Sequence, residues 1–492
     1  MDFKISAENS KLVLFSFFIT LVTYGFPLTN YSLSVDSETP IYSEFSMSLG
    51  RWGTNLVRYR IFEGHLPYYT MLLGIILLSL TAVELSKLFR FKGALSFAFC
   101  ALFLTFPQMS YQLVFTMQAD VVPLGFLLAV LAVKFFVNNS QNIFSKKSIV
   151  YFILSSLILM FVIAIYQALI LIPIVVYIII LLQNTFNEDY HFKNEFKKGL
   201  FFSALLFVSL VFYYVSAKLL CPVPEKGLLS SYLAGKTDNQ FLNACSIWLK
   251  NLTGNFYYGS KLFIIAFIVS IIMFIKFGIE KKHFLIRFIC LFLMLILPFA
   301  FSFFITNGYH PPRIYLTSGL VFAFVIVYFV STIKYEQFTI LIISIICVAN
   351  LYFITNLFYS NYKIFNHDKS EANKMNNLIQ AKYPEFDENV NYVYFFGCLP
   401  YEHHQKYRID KSEIFGGSLF NWDNGDNYRI INFFKFNDIA YYKMIDNRET
   451  YLKIKDSIAP MPVWPKKESV KMINNIIVVK LGNEKGMPLW VE

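Results

Sequence analysis

Asp36 and Glu38 stand two residues apart in the segment YSLSVDSETPIYSEFSMSLGRWGTNLVRYR (31–60). Two carboxylates so placed can supply a general base that takes the proton of an attacking hydroxyl. The same pair also suits a solvated loop, where an acid just before a helix is favoured by the helix dipole. If the stretch is extended, the two side chains point to opposite sides and their roles differ. Arg51 and Arg58 follow, two helical turns apart, so on one helix they share a face. Paired guanidinium groups there suit a lipid phosphate. They equally suit bulk lipid headgroups, or pairing with Glu44 and Glu63.

Other polar residues interrupt apolar surroundings. Asp120 lies in TMQADVVPLGF, where a carboxylate at membrane depth is costly and usually faces a polar cavity. It is expected near the outer boundary, lining the same cavity as Asp36, or else in a structural ion pair; Pro123 is expected to break the helix just after it. Tyr166 and Gln167 interrupt a long apolar stretch, as substrate contacts or as an interfacial tyrosine with a capping glutamine. In NGYHPPR (307–313), His310 and Arg313 sit at a helix end, where Arg313 can hold a phosphate or act as a snorkelling anchor. His403 and His404 are adjacent and would point apart in a strand, which does not make a metal site. The six cysteines form no CxxC and no cluster with histidine; Cys221 and Cys245 share a loop in which a disulfide is one option. No metal and no cofactor is expected.

These residues are set in a strongly apolar chain. Of 492 residues, 56% are hydrophobic and 15% charged, and the mean hydropathy is +0.50. Soluble domains carry about 25% charged residues. A span needs about 20 apolar residues, and runs of that kind fall at about 12–29, 66–86, 93–110, 113–137, 199–219, 262–277, 284–305, 314–333 and 337–358. The stretch 149–182 is too long for one helix and reads as two, turning near Tyr166-Gln167. This makes about eleven transmembrane helices. Short basic loops mark the cytoplasmic side. Lys4 and Lys11, then Lys87, Arg90 and Lys92, then Lys146 and Lys147, then Lys193, Lys197 and Lys198, then Lys276, Lys281, Lys282 and Arg287, then Lys334, all fall on one side of this arrangement. The N-terminus is therefore expected inside and the C-terminus outside. The net charge of +11 is absorbed by those loops, so nucleic acid is not an expected partner.

Within the first external loop (30–65), Thr39-Pro40 is a helix-start signal. Phe45, Leu49, Trp52, Leu56 and Tyr59 then recur at helical spacing opposite Glu44, Ser48, Arg51, Asn55 and Arg58, which predicts an amphipathic helix on the membrane surface. After about 360 the composition turns polar. NVNYVYFFG (389–397) and INNIIVVKLG (473–482) read as strands, and 369–382 as helical. The fold expected is an α-helical polytopic membrane domain over 1–360 with a small α/β or α+β domain over 361–492 on the outer face. No GxxxxGK[ST] occurs, so an ATP-driven pump is not expected. No DxD-like motif falls in a cytoplasmic domain, which argues against a nucleotide-sugar enzyme working inside.

Taken in order, VDSE, GRW, QAD, YQ and PPR, with the ending MPVWPKKESVKMINNIIVVKLG, resemble the type II glucosyltransferase family, which includes phage-borne serotype-converting enzymes. The resemblance covers nearly the whole chain. It implies a GT-C-like fold whose site opens on the outer face of the bacterial inner membrane. It implies transfer of a sugar, glucose by family, from a polyprenyl-phosphate carrier to a surface glycan such as O-antigen. The acid of the first external loop is then the expected base: Asp36, with Glu38 as alternate and Asp120 behind them. Arg51, Arg58, Tyr166, Gln167, His310 and Arg313 are the expected substrate contacts. Partners implied are the lipid-linked sugar donor, a lipid-linked or polymeric glycan acceptor, membrane lipids, a flippase and a polyprenyl-phosphate glucosyltransferase. A flippase or transporter for a lipid-linked sugar, and a non-catalytic glycan-assembly partner, are the competing classes.

Overall fold

The computed structural model describes residues 7–38, 43–62, 66–140, 145–221, 240–305, 310–333, 336–388 and 390–486. Lys4, the Thr39-Pro40 signal, Glu63, Asn307 to Tyr309 of NGYHPPR and Lys334 lie outside them, as does the Glu44 side chain. The chain forms two compact units. One comprises Met1–Thr29, Ile41–Leu113 and Met117–Thr355; the other comprises Asn30–Pro40, Val114–Thr116 and Asn356–Glu492. The segment carrying Asp36 and Glu38 thus belongs with the C-terminal part of the chain.

The larger unit is helical. Among the described residues, nine helices are long and apolar enough to cross a membrane, so this is a multi-pass membrane protein. Helices suit that setting because every backbone bond is made within the segment. On Phe192–Leu220, the large apolar side chains of Phe207, Leu210 and Leu219 are exposed, as a lipid-facing surface requires. Nine is fewer than the eleven expected. The helix Ala7–Tyr24 begins with the polar turn AENSK and is not one of the nine. Ser318–Val330 has 13 residues, about 20 Å at 1.5 Å per residue against a core of about 30 Å.

Helix breaks fall where the backbone demands them. Tyr166 is extended (φ −156°, ψ 119°) between Lys146–Ile165 and Gln167–Ile170. Phe106, just before Pro107, is extended too and ends Ala94–Thr105. The next long helix starts at Val121, eight residues later than its apolar run begins. Pro123 therefore does not break it: in the first turn its missing N–H has no partner to lose. Cys221 and Cys245 are free thiols.

The smaller unit holds a three-stranded sheet in the order β1-β3-β2, where β1 is Tyr392–Phe396, β2 is Val470–Ile473 and β3 is Ile476–Lys480. β1 and β3 are parallel; β2 and β3 are antiparallel. INNIIVVKLG is therefore not one strand. Asn474 (φ 48°) and Asn475 (φ 63°) form a two-residue hairpin turn inside it, as a turn with two left-handed centres requires. The apolar core gathers Val393, Phe395, Ile430, Phe433, Phe434 and Val479, together with Leu33 and Val35 of the N-terminal segment.

Candidate active site

In the smaller unit, the core residues Leu33 and Val35 anchor the VDSE turn. Ser34 Oγ donates to the Val114 carbonyl at 2.9 Å, and the Ser37 amide donates back to the Ser34 carbonyl at 3.0 Å. Closing this tight turn puts Asp36 at φ 71°. Asp tolerates the left-handed region better than most residues because its short carboxyl can bond nearby backbone. Asp36 keeps 38% of its side chain exposed, whereas that of Glu38 is completely buried.

Both acids meet one cation, Arg429. Its Nη2 donates to Asp36 Oδ1 at 3.0 Å, its Nη1 donates to Glu38 Oε1, and its Nε donates to Asp423 Oδ2 at 2.8 Å. Arg429 stands in the first turn of the helix Asn427–Phe436, which Asp426 caps by accepting from the Tyr428 amide at 2.9 Å. Burial pushes the Glu38 carboxyl up to about 7; the Arg429 guanidinium opposes that rise and the charge of Asp36 adds to it. Glu38 Oε2 is buried with no hydrogen-bond partner among the described residues. Glu38 is thus sealed off, while Asp36 is the member of the pair that a solute can touch.

The larger unit holds the other expected residues, and five of them fall into two groups. Arg58, buried, pairs with buried Asp120 at 3.4 Å. Arg51 donates from Nε to Gln167 Oε1 at 3.2 Å and sits 4.7 Å from the Tyr166 ring centre. Gln167 Nε2 donates to the Leu49 carbonyl at 2.7 Å. Arg51 and Arg58 therefore do not share a helix face. Ser43–Ser48 stops at Gly50 (φ 73°), Trp52–Asn55 follows, and Leu56–Ile61 takes wider i→i+5 turns. On this segment Arg58 is buried and Leu56 is exposed. His310 is buried with neither ring nitrogen hydrogen-bonded among the described residues, and burial lowers its pKa. Arg313 is half-buried in the short turn Pro312–Ile314, whose Pro312 carbonyl accepts from Gln108 Nε2.

His403 and His404 lie on a short helix, Tyr401–Gln405, not a strand. His403 Nε2 is 2.7 Å from Asp368 Oδ1. Burial, with Arg408 and His403 adding to it, pushes His404 down to about 4. Among the described residues no group of three or more His, Cys, Asp or Glu could hold a metal ion.

Arg429 and Asp423 are the members that sequence reasoning missed. The signal was there: Asp426 is a capping residue, and Ile430, Ile431, Phe433 and Phe434 continue at helical spacing. That pattern starts a helix at 427 and puts Arg429 in its first turn. Residues 25–328, more than half of the chain, match the family model described as glucosyl transferase GtrII. No curated protein matches the chain.

Proposed function

The chain belongs to the glucosyl transferase GtrII family, and from that premise we propose that it moves glucose from a polyprenyl-phosphate carrier to a surface glycan on the periplasmic face of a bacterial inner membrane. The observation that carries the reading is the half-exposed carboxylate of Asp36, fixed by a buried-side ion pair to Arg429. Polyprenyl phosphate is a good leaving group, so the scarce resource is activation of the acceptor hydroxyl. Asp36 takes that proton as the hydroxyl oxygen attacks the anomeric carbon. The C–O bond to the phosphate breaks on the opposite side, and the configuration inverts. Such a base contributes about 10²–10⁴-fold.

Glu38, fully buried, supports Asp36 without touching substrate. Arg51 and Arg313 are assigned to the carrier phosphate, where charge grows as the bond breaks. Arg58, committed to Asp120, neutralises that acid instead. Asp120 ranks behind Asp36 as a base because its side chain is buried in this pair. Tyr166, Gln167 and His310 are assigned to substrate contacts on their positions in the sequence. The domain over 361–492 is read as periplasmic, with the N-terminus cytoplasmic.

The test is transfer of labelled glucose from polyprenyl-phosphate glucose to isolated O-antigen lipid by the purified protein. Asp36→Asn keeps the shape and removes the base, so transfer should fall by at least 100-fold while donor binding holds. An active Asp36→Asn beside a dead Glu38→Gln moves the base by two residues. Binding of both substrates with no transfer by the wild-type protein points to the assembly-partner class.

A further inference from the structure

The residues that match the family model end at 328, yet the cation that holds both acids of the VDSE turn comes from residue 429. A guanidinium presents its donors in a rigid planar fork. Here the three nitrogens of that fork each take a different carboxylate: Asp36, Glu38 and Asp423. The fork therefore fixes the three acids relative to one another. Its own position is fixed from behind, because Ile430, Ile431, Phe433 and Phe434 on the same helix are fully buried in the core. Arg429 is itself only 15% exposed, so water competes weakly for its donors.

We propose that Arg429 is the positioning residue of the transfer reaction: it aims Asp36 at the acceptor and supplies the positive charge beside it. The proposal rests on the reading of Asp36 as base. Asp36 sits in a left-handed turn, a conformation that the surrounding contacts must hold in place. The Nη2 contact at 3.0 Å is the charged one among them. Among the described residues, the other charged groups of this cluster include Glu38, Asp423 and Asp426. Against these acids Arg429 is the one cation that meets Asp36 among the described residues. Lysine is a poor substitute, because it keeps the charge and loses the fork.

The experiment uses the full chain, purified, with labelled polyprenyl-phosphate glucose and O-antigen lipid. Arg429→Gln should lower kcat about 100-fold, the scale of a base misplaced by about 1 Å, with KM for the donor within about threefold. Arg429→Lys keeps the charge but not the fork and should still lose kcat. Guanidinium chloride at millimolar concentration should restore part of the activity of Arg429→Ala. Loss of activity without guanidinium rescue, in a variant that melts like the wild type, would make the role structural and overturn the proposal. Full activity of Arg429→Gln would overturn it as well. If Arg429→Gln fails to fold, Arg429→Lys decides: a KM loss with kcat intact overturns the positioning role. Asp36→Asn is run beside them. If it stays active, the base assignment has failed; if it is dead while Arg429→Gln is normal, the positioning role alone has failed.

Discussion

At the scale of the residue, the two acids of the VDSE turn differ in what pH does to them. The Glu38 carboxyl rises from an ordinary 4.5 to about 7 because it is buried. Between those values the folded chain holds a proton that the unfolded chain has released. Stability from this group is therefore full below about 4.5 and declines as pH rises through about 7. The difference is on the order of 3 kcal/mol. Glu38→Gln cannot ionise, so its melting temperature should fall less between pH 5 and pH 8 than that of the wild type, whatever its absolute stability. Parallel pH slopes for the two proteins would show that Glu38 is not held protonated. Sequence alone could name the pair but not divide it. The two-residue spacing suggests opposite faces, whereas the actual division comes from Leu33 and Val35 entering a core made largely by residues after 356.

Elements set the positions of these residues through close backbone approaches. A Cβ on Gly74, in the helix Pro67–Leu88, would lie 2.1 Å from the Ala119 carbonyl oxygen, one residue before Asp120. A Cβ on Gly53 would lie 2.9 Å from the Ala164 carbonyl carbon, beside the break at Tyr166. Neither neighbour is a side-chain tip that can swing away. Gly74→Ala should therefore cost about 1–3 kcal/mol by overpacking and strain the Arg58–Asp120 pair. Gly199, in Phe192–Leu220, has nothing within 4 Å of its virtual Cβ, so Gly199→Ala should leave stability unchanged or raise it, since alanine is the better helix former. Thermal melts of the two variants in detergent check this; equal melting temperatures would refute it. The long helices were legible because each is a run of apolar residues. The Arg58–Asp120 pair was not, because it depends on a left-handed Gly50 and on wide turns after Asn55, neither of which leaves a periodic mark. Arg429 was legible in its cap but was lost among the loop-forming residues Asp423 to Asn427.

At the scale of the whole chain, sidedness follows from counting crossings. The basic turns after Leu88, Asn139, Asn184 and Glu280 are separated from one another by pairs of long apolar helices, so all four fall on one side. By charge that side is predicted to be cytoplasmic. Asn30–Pro40 is separated from the first of these turns by the single long helix Pro67–Leu88, which puts it on the other side. It belongs to the same compact unit as Asn356–Glu492, so that C-terminal part is predicted to be external too. Between Lys282 and Asn356 the chain must then cross an odd number of times. Phe284–Phe303 and the helix from Ile340 supply two crossings, so Ser318–Val330 must supply the third despite its length. It can do so because Ser318 to Val327 are buried in the protein, and non-helical flanks are tolerated at membrane depth when protein covers them. The prediction is tested with single cysteines in a background whose native cysteines are serine. Tyr401→Cys, at a site 72% exposed, should react with an impermeant thiol reagent in whole cells whose outer membrane has been made permeable. Lys282→Cys, also exposed, should react only after the inner membrane is lysed. Labelling of both positions under the same condition would put Ser318–Val330 outside the set of crossing helices and move the VDSE turn away from the periplasm.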